Sequence, residues 1–192
     1  MDATALAYAR WPAETAPASG GAGAYAARFH EVAELDALRP AWCALFDEAV
    51  ERNPFYGPDY LIPLLQETAA AEGCVLCAVW APPRPDGARR LAALLPMRHG
   101  VALTPARALA DPMIVGGAPL LWSAAPEEAA AALLDALAAA NGDRVVMFDD
   151  VRLDWPAWRA LEAAAARQER ATRVFDVYER AAAAAHGRSG PT

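Results

Sequence analysis

The chain contains no lysine; all 17 of its basic side chains are arginine, set against 24 acidic ones. Arginine without lysine, beside abundant alanine, proline and glycine, is the mark of a GC-rich coding bias and gives the arginines no special task. The formal net charge of −7 repels a phosphate backbone, and no basic stripe interrupts it, so nucleic acid is not an expected partner. Cysteine is scarce at three residues, which suits a reducing cytoplasm rather than a disulfide framework. No segment reaches membrane-spanning length without a charge or a proline. The first residues lack a basic region followed by an apolar run, which argues against a secretory signal. Metal chemistry has little to work with. His30, His99 and His186 are scattered, and the one adjacent carboxylate, Glu31, follows His30 on a predicted strand and so points the other way.

What the sequence does have is enough chain for a core. At 192 residues it fills one domain or slightly more, although alanine supplies much of its 56% hydrophobic content. Residues 1–22 read as a flexible leader, because Ser19-Gly20-Gly21-Ala22-Gly23 cannot nucleate structure and Trp11 alone is large enough to dock. Residues 23–182 read as one α/β domain and 183–192 as a disordered tail.

Within the domain, a strand is predicted over Ala24–Val32. A helix follows, with Asp36 as cap, Pro40 in its first turn, and Leu38, Trp42, Leu45, Phe46 and Ala49 on one face. A second helix runs from Pro58 to Ala71, with Leu61, Leu64, Leu65 and Thr68 inward and Gly73 at its end. Cys74–Ala81 and Leu91–Met97 are strands joined by the rigid loop Pro82–Gly87. After a less regular stretch over Val101–Gly117, a short strand fits Ala118–Trp122. A third helix starts at Pro126, with Glu127 and Glu128 where the helix dipole favours acid, and buries Ala130, Leu133, Leu134 and Leu137. Then come a strand over Arg144–Asp149, a helix capped by Asp154, and a last strand over Thr172–Glu179. This order predicts layers of helices on both faces of a mixed sheet.

Between the first two helices lies Asn53-Pro54-Phe55-Tyr56-Gly57-Pro58-Asp59-Tyr60-Leu61. Pro54 and Pro58 fix the backbone, Gly57 lets it turn, and Phe55, Tyr56 and Tyr60 bring large apolar area to a place where helix connections are usually small and polar. Such a turn either plugs a core or lines a pocket. The segment resembles the Asn-Pro-Phe-Tyr-x-Pro-x-x-Leu turn of the FemAB-like and CelD-type (cellulose-biosynthesis) acetyltransferases of the GNAT superfamily. The Leu94-Leu95-Pro96-Met97 strand end, Gly116–Leu121 and Tyr178-Glu179-Arg180-Ala181 add to the likeness, which spans about 25–180. It implies a GNAT-like three-layer domain lacking its final strand, equivalent to the N-terminal half of a tandem pair. The complete protein would move an acyl group from acetyl-CoA or another acyl-CoA to an amine or hydroxyl. The partner would be a C-terminal GNAT-like half or a second copy of the chain.

The residues qualify that implication. An acyl-CoA site needs a glycine-rich phosphate cradle at a helix start. The corresponding segment here is Ser123-Ala124-Ala125-Pro126-Glu127-Glu128, with no glycine, no cation and two carboxylates. No acyl-CoA is therefore expected to bind this chain alone. Glu31, Asp59 and His99 are the candidate bases for taking an acceptor proton, and Phe55, Tyr56 and Tyr60 the candidate substrate wall. Cys74-Val75-Leu76-Cys77 on a strand places two small core residues on opposite faces rather than forming a redox pair, and Cys43 reads as core as well. Asp149, Asp150 and Asp154 read as a solvated turn plus a cap. Two functions stay open: a catalytic half of an acyltransferase, or a binding or scaffold module, a truncated fragment included, that keeps the fold without the cofactor site.

Overall fold

A computed structural model describes residues 14–15, 24–98, 105–110, 114, 116–141 and 145–177. The elements are β1 (Glu14–Thr15), β2 (Ala26–His30), α1 (Leu35–Glu48), α2 (Pro58–Glu67), β3 (Cys74–Trp80), β4 (Leu91–Arg98), β5 (Ala106–Ala108), β6 (Leu120–Leu121), α3 (Pro126–Asn141), β7 (Val146–Met147) and α4 (Pro156–Arg167). Single 3-10 turns at Val32–Glu34, Pro54–Tyr56 and Ala69–Ala71 join several of them.

The sheet has seven strands in the order β1-β2-β3-β4-β5-β7, with β6 also pairing to β4. All pairings are antiparallel except β5 with β7, which makes the sheet mixed. Every residue from Leu91 to Met97 in β4 is buried, so both faces of the sheet are covered there. The helices α1 and α3 both pack on β4, α2 lies on α1, and α4 lies on α3. The predicted α/β class with a mixed sheet is thus observed. No helix among the described residues is long and apolar enough to cross a membrane.

The helices form where the periodicity puts them. Leu35, Leu38, Trp42 and Leu45 face inward on α1, and Leu61, Ile62 and Leu65 on α2. The alanine-rich α3, whose residue type has the highest helix propensity, opens with Pro126, Glu127 and Glu128 and buries Ala130, Leu133 and Leu137.

The structure corrects several local expectations. Pro40 lies inside α1, beyond the first turn, because the helix starts at Leu35 after a 3-10 turn; Asp36 belongs to the first turn and is not its cap. The second helix ends at Glu67, where the Thr68 hydroxyl turns back to the Leu64 carbonyl (2.7 Å) and accepts from the Ala70 amide (3.1 Å). Asp154 does not cap α4. Its carboxylate is engaged by Arg152, and Trp155 occupies the capping position. The predicted leader contributes β1, and the stretch beyond Val101 contains β5. The predicted last strand is not formed: residues 172–177 carry no strand pairing, and Val174, Phe175 and Val177 are 53%, 75% and 68% exposed. Strand-forming side chains do not hold a strand without a neighbour to pair with. Residues 178 and 179 of that prediction lie outside the described residues.

Candidate functional site

The aromatic turn is a plug on one side and a wall on the other. Asn53 is buried. Its amide nitrogen donates to the Gly116 and Ala118 carbonyls (2.6 and 3.3 Å), and its side-chain oxygen accepts from the Phe55 amide (3.1 Å). Tyr56 is fully buried, donates its hydroxyl to the Leu109 carbonyl (2.9 Å), and offers its own carbonyl to the Trp42 indole (2.9 Å). Burial pushes the Tyr56 phenol well above its ordinary range. Tyr56 is therefore closed to any ligand, contrary to its place among the substrate-wall candidates. Phe55 and Tyr60 are half-buried and meet edge to face with centroids 5.6 Å apart; of the three aromatics, Phe55 alone lines the groove described next.

Asn53 ties the turn to Gly116–Ala118, and Gly117 ties that segment to the end of β7 through its amide and the Asp149 carbonyl (2.9 Å). The approach is so close that a Cβ on Gly117 would lie 2.5 Å from the Asp149 carbonyl oxygen. Asp149 is gripped by Arg107 through two hydrogen bonds (3.0 and 2.7 Å), which raise the Arg107 pKa. Nearby, the Arg152 guanidinium stacks over the Trp155 ring at 5.2 Å and holds the Asp154 carboxyl below its usual range. Glu51 feels both Arg152 and Asp154; burial raises its pKa, Arg152 opposes the rise, Asp154 adds to it, and one of its oxygens is buried without a hydrogen-bond partner among the described residues.

Of these groups, Gly116, Asp149, Arg152, Asp154 and Trp155 line a groove of 1640 Å³. It is lined by β7 and its flank (Val146, Phe148), by α3 and α4 (Leu137, Leu161) and by the segment 170–177 (Phe175, Val177). Val145, just before β7, is 61% exposed. Among the described residues no strand pairs with the outer edge of β7, and apolar side chains surround that edge. Among the described residues no group of His, Cys, Asp or Glu could hold a metal ion.

The opposite end of this region, where α3 begins, is closed by the chain itself. The edge of β6 facing away from β4 receives Val50, whose amide donates to the Leu121 carbonyl (2.8 Å), while the Ser123 amide donates to the Glu48 carbonyl (3.0 Å). Ala49 and Trp122 form an isolated bridge. Glu48 also accepts from the Trp122 indole (3.0 Å) and pairs with Arg90, whose guanidinium lies 5.2 Å over the Trp122 ring. Pro119, earlier on this edge, has no amide hydrogen to offer.

The other sequence-derived candidates are dispersed. Glu31 is exposed beside the first 3-10 turn, where its backbone amide donates to Glu34 (3.1 Å). Asp59 is exposed in the first turn of α2 and ion-paired with Arg39. His99 lies outside the described residues. Cys74 and Cys77 are buried in β3; burial pushes the Cys74 thiol up to about 12 and the Cys77 thiol higher still, so neither is a nucleophile. Sequence reasoning missed Glu51, Arg107 and Trp155. Only Glu51 carried a signal, its place two residues before the aromatic turn.

Comparisons with family models, with curated proteins and with solved structures find no match to this chain.

Proposed function

We propose that this chain is a non-catalytic GNAT-like module of an acyltransferase, one that docks a catalytic half rather than holding acyl-CoA itself. The observation that carries the reading is the outer edge of β7, which no strand among the described residues covers. Exposed apolar residues are concentrated there, at Val145, Val174, Phe175 and Val177, around a groove wide enough for a partner segment. A strand edge beside exposed apolar side chains is a template for strand addition. The absence of acyl-CoA binding is supported by the start of α3. There the edge of β6 is used by Glu48–Val50, and Pro126, Glu127 and Glu128 present one fewer amide and two negative charges to a phosphate. The free cysteines fit a cytoplasmic setting.

The alternative, a catalytic half acting on an amine or hydroxyl, is favoured by Glu51, a carboxyl with a raised pKa that interacts with Arg152 and Asp154, both of which line the groove. Calorimetric titration with acetyl-CoA separates the two. The docking reading expects no heat of binding, and micromolar affinity overturns it.

A further inference from the structure

The two ends of the sheet are treated differently, and the difference concerns residues that composition alone assigns to a leader. At the β7 end no strand among the described residues covers the edge. At the β2 end it is covered by β1, which sets Glu14 opposite Arg28 and Thr15 opposite Ala27. The element β1 also meets α3, so this short strand sits against a helix as well as against the sheet. Without it, β2 would be the outermost strand, an antiparallel partner of β3 along its whole length with its other side open.

We propose that Glu14–Thr15 is an edge guard: it occupies β2 and thereby prevents a second copy of this chain from pairing there. An open strand edge recruits whatever strand is at hand, and at high concentration the most abundant one is the same β2 of another copy. Tethering explains why the chain's own strand wins, because β1 reaches β2 through the short connection 16–25 and needs no encounter between molecules. Its cover spans only two residues, which suits a guard that can be displaced.

The guard predicts a specific double variant of the full chain, Glu14→Pro with Thr15→Pro. Proline removes the amides that a strand pair needs, and both positions precede the core, so the remaining elements keep their packing. Sedimentation equilibrium is compared with the unmodified chain, so that any association through β7 is common to both samples. Amide exchange is read at Ala27 and Arg28, whose N–H groups point to opposite edges of β2, one toward β1 and one toward β3. The guard requires faster exchange at the amide that faces β1 and an association constant raised about tenfold or more. Unchanged exchange overturns it, because β1 then does not cover β2. Faster exchange with unchanged association also overturns it, because the cover then guards nothing. Neither result bears on the β7 edge, which substitutions at Val174 and Phe175 test separately.

Discussion

Asn53 makes three hydrogen bonds with one side chain and so joins the α1–α2 turn to the segment that precedes β6. Replacement by alanine would strand two carbonyls and an amide, at a cost of about 2–3 kcal/mol, read as a lower urea midpoint with unchanged slope. Tyr56→Phe removes a single buried bond to Leu109 and should cost about 1 kcal/mol. The thiols give an independent check on burial. Iodoacetamide should label Cys43 alone in native buffer and all three cysteines in denaturant, since Cys74 and Cys77 are buried and their thiolates disfavoured. His30 supplies the pH dependence. Burial and then Arg28 lower its pKa below 6.5, with Glu34 opposing, so the native state prefers the neutral ring. The unfolded chain binds that proton more readily. Stability is therefore full above about pH 6.5 and falls as the pH drops toward the native pKa. Urea midpoints at about pH 7 and about pH 5 should differ less in His30→Gln than in the parent.

Gly117 shows how tightly two elements meet. Gly117→Ala forces its Cβ against the Asp149 carbonyl, a backbone atom that cannot swing aside. The expected loss is about 2 kcal/mol or more, with faster amide exchange at residue 117 itself. How well each element could be read from the sequence followed its length. The helices α1 and α3 and the strands β3 and β4 were plain because a dozen residues of period, or an unbroken apolar run ending in Pro82–Gly87, leave few alternatives. By contrast β1 and β5 have two or three residues each and no period to detect; pairing with β2 or β4 makes them strands. The same logic misled at Thr172–Val177, where strand-like composition has no strand partner among the described residues. The Asn53–Tyr60 turn declared itself through its aromatics. The groove did not, because its walls come from α3, β7, α4 and the segment 170–177, which share no local pattern.

At the scale of the whole molecule, the apolar edge at β7 predicts association. Light scattering on the isolated 192-residue chain should show dimers or larger species, and Val174→Asp with Phe175→Asp should shift them toward monomer. A stable monomer of the parent chain at high concentration would count against the docking surface. The stitching of Glu48–Val50 onto β6 bears on how the molecule comes apart. The end of α1 is hydrogen-bonded into the β6 edge, so the helix cannot depart without breaking the bonds of Val50 and Ser123 to that edge. The short β7, by comparison, hangs on a two-residue parallel ladder, with α4 resting on α3. Unfolding thus has a built-in sequence. The β7–α4 corner opens first as a low-energy excursion, while the amides of Val50, Trp122 and Ser123 stay protected until the entire sheet yields.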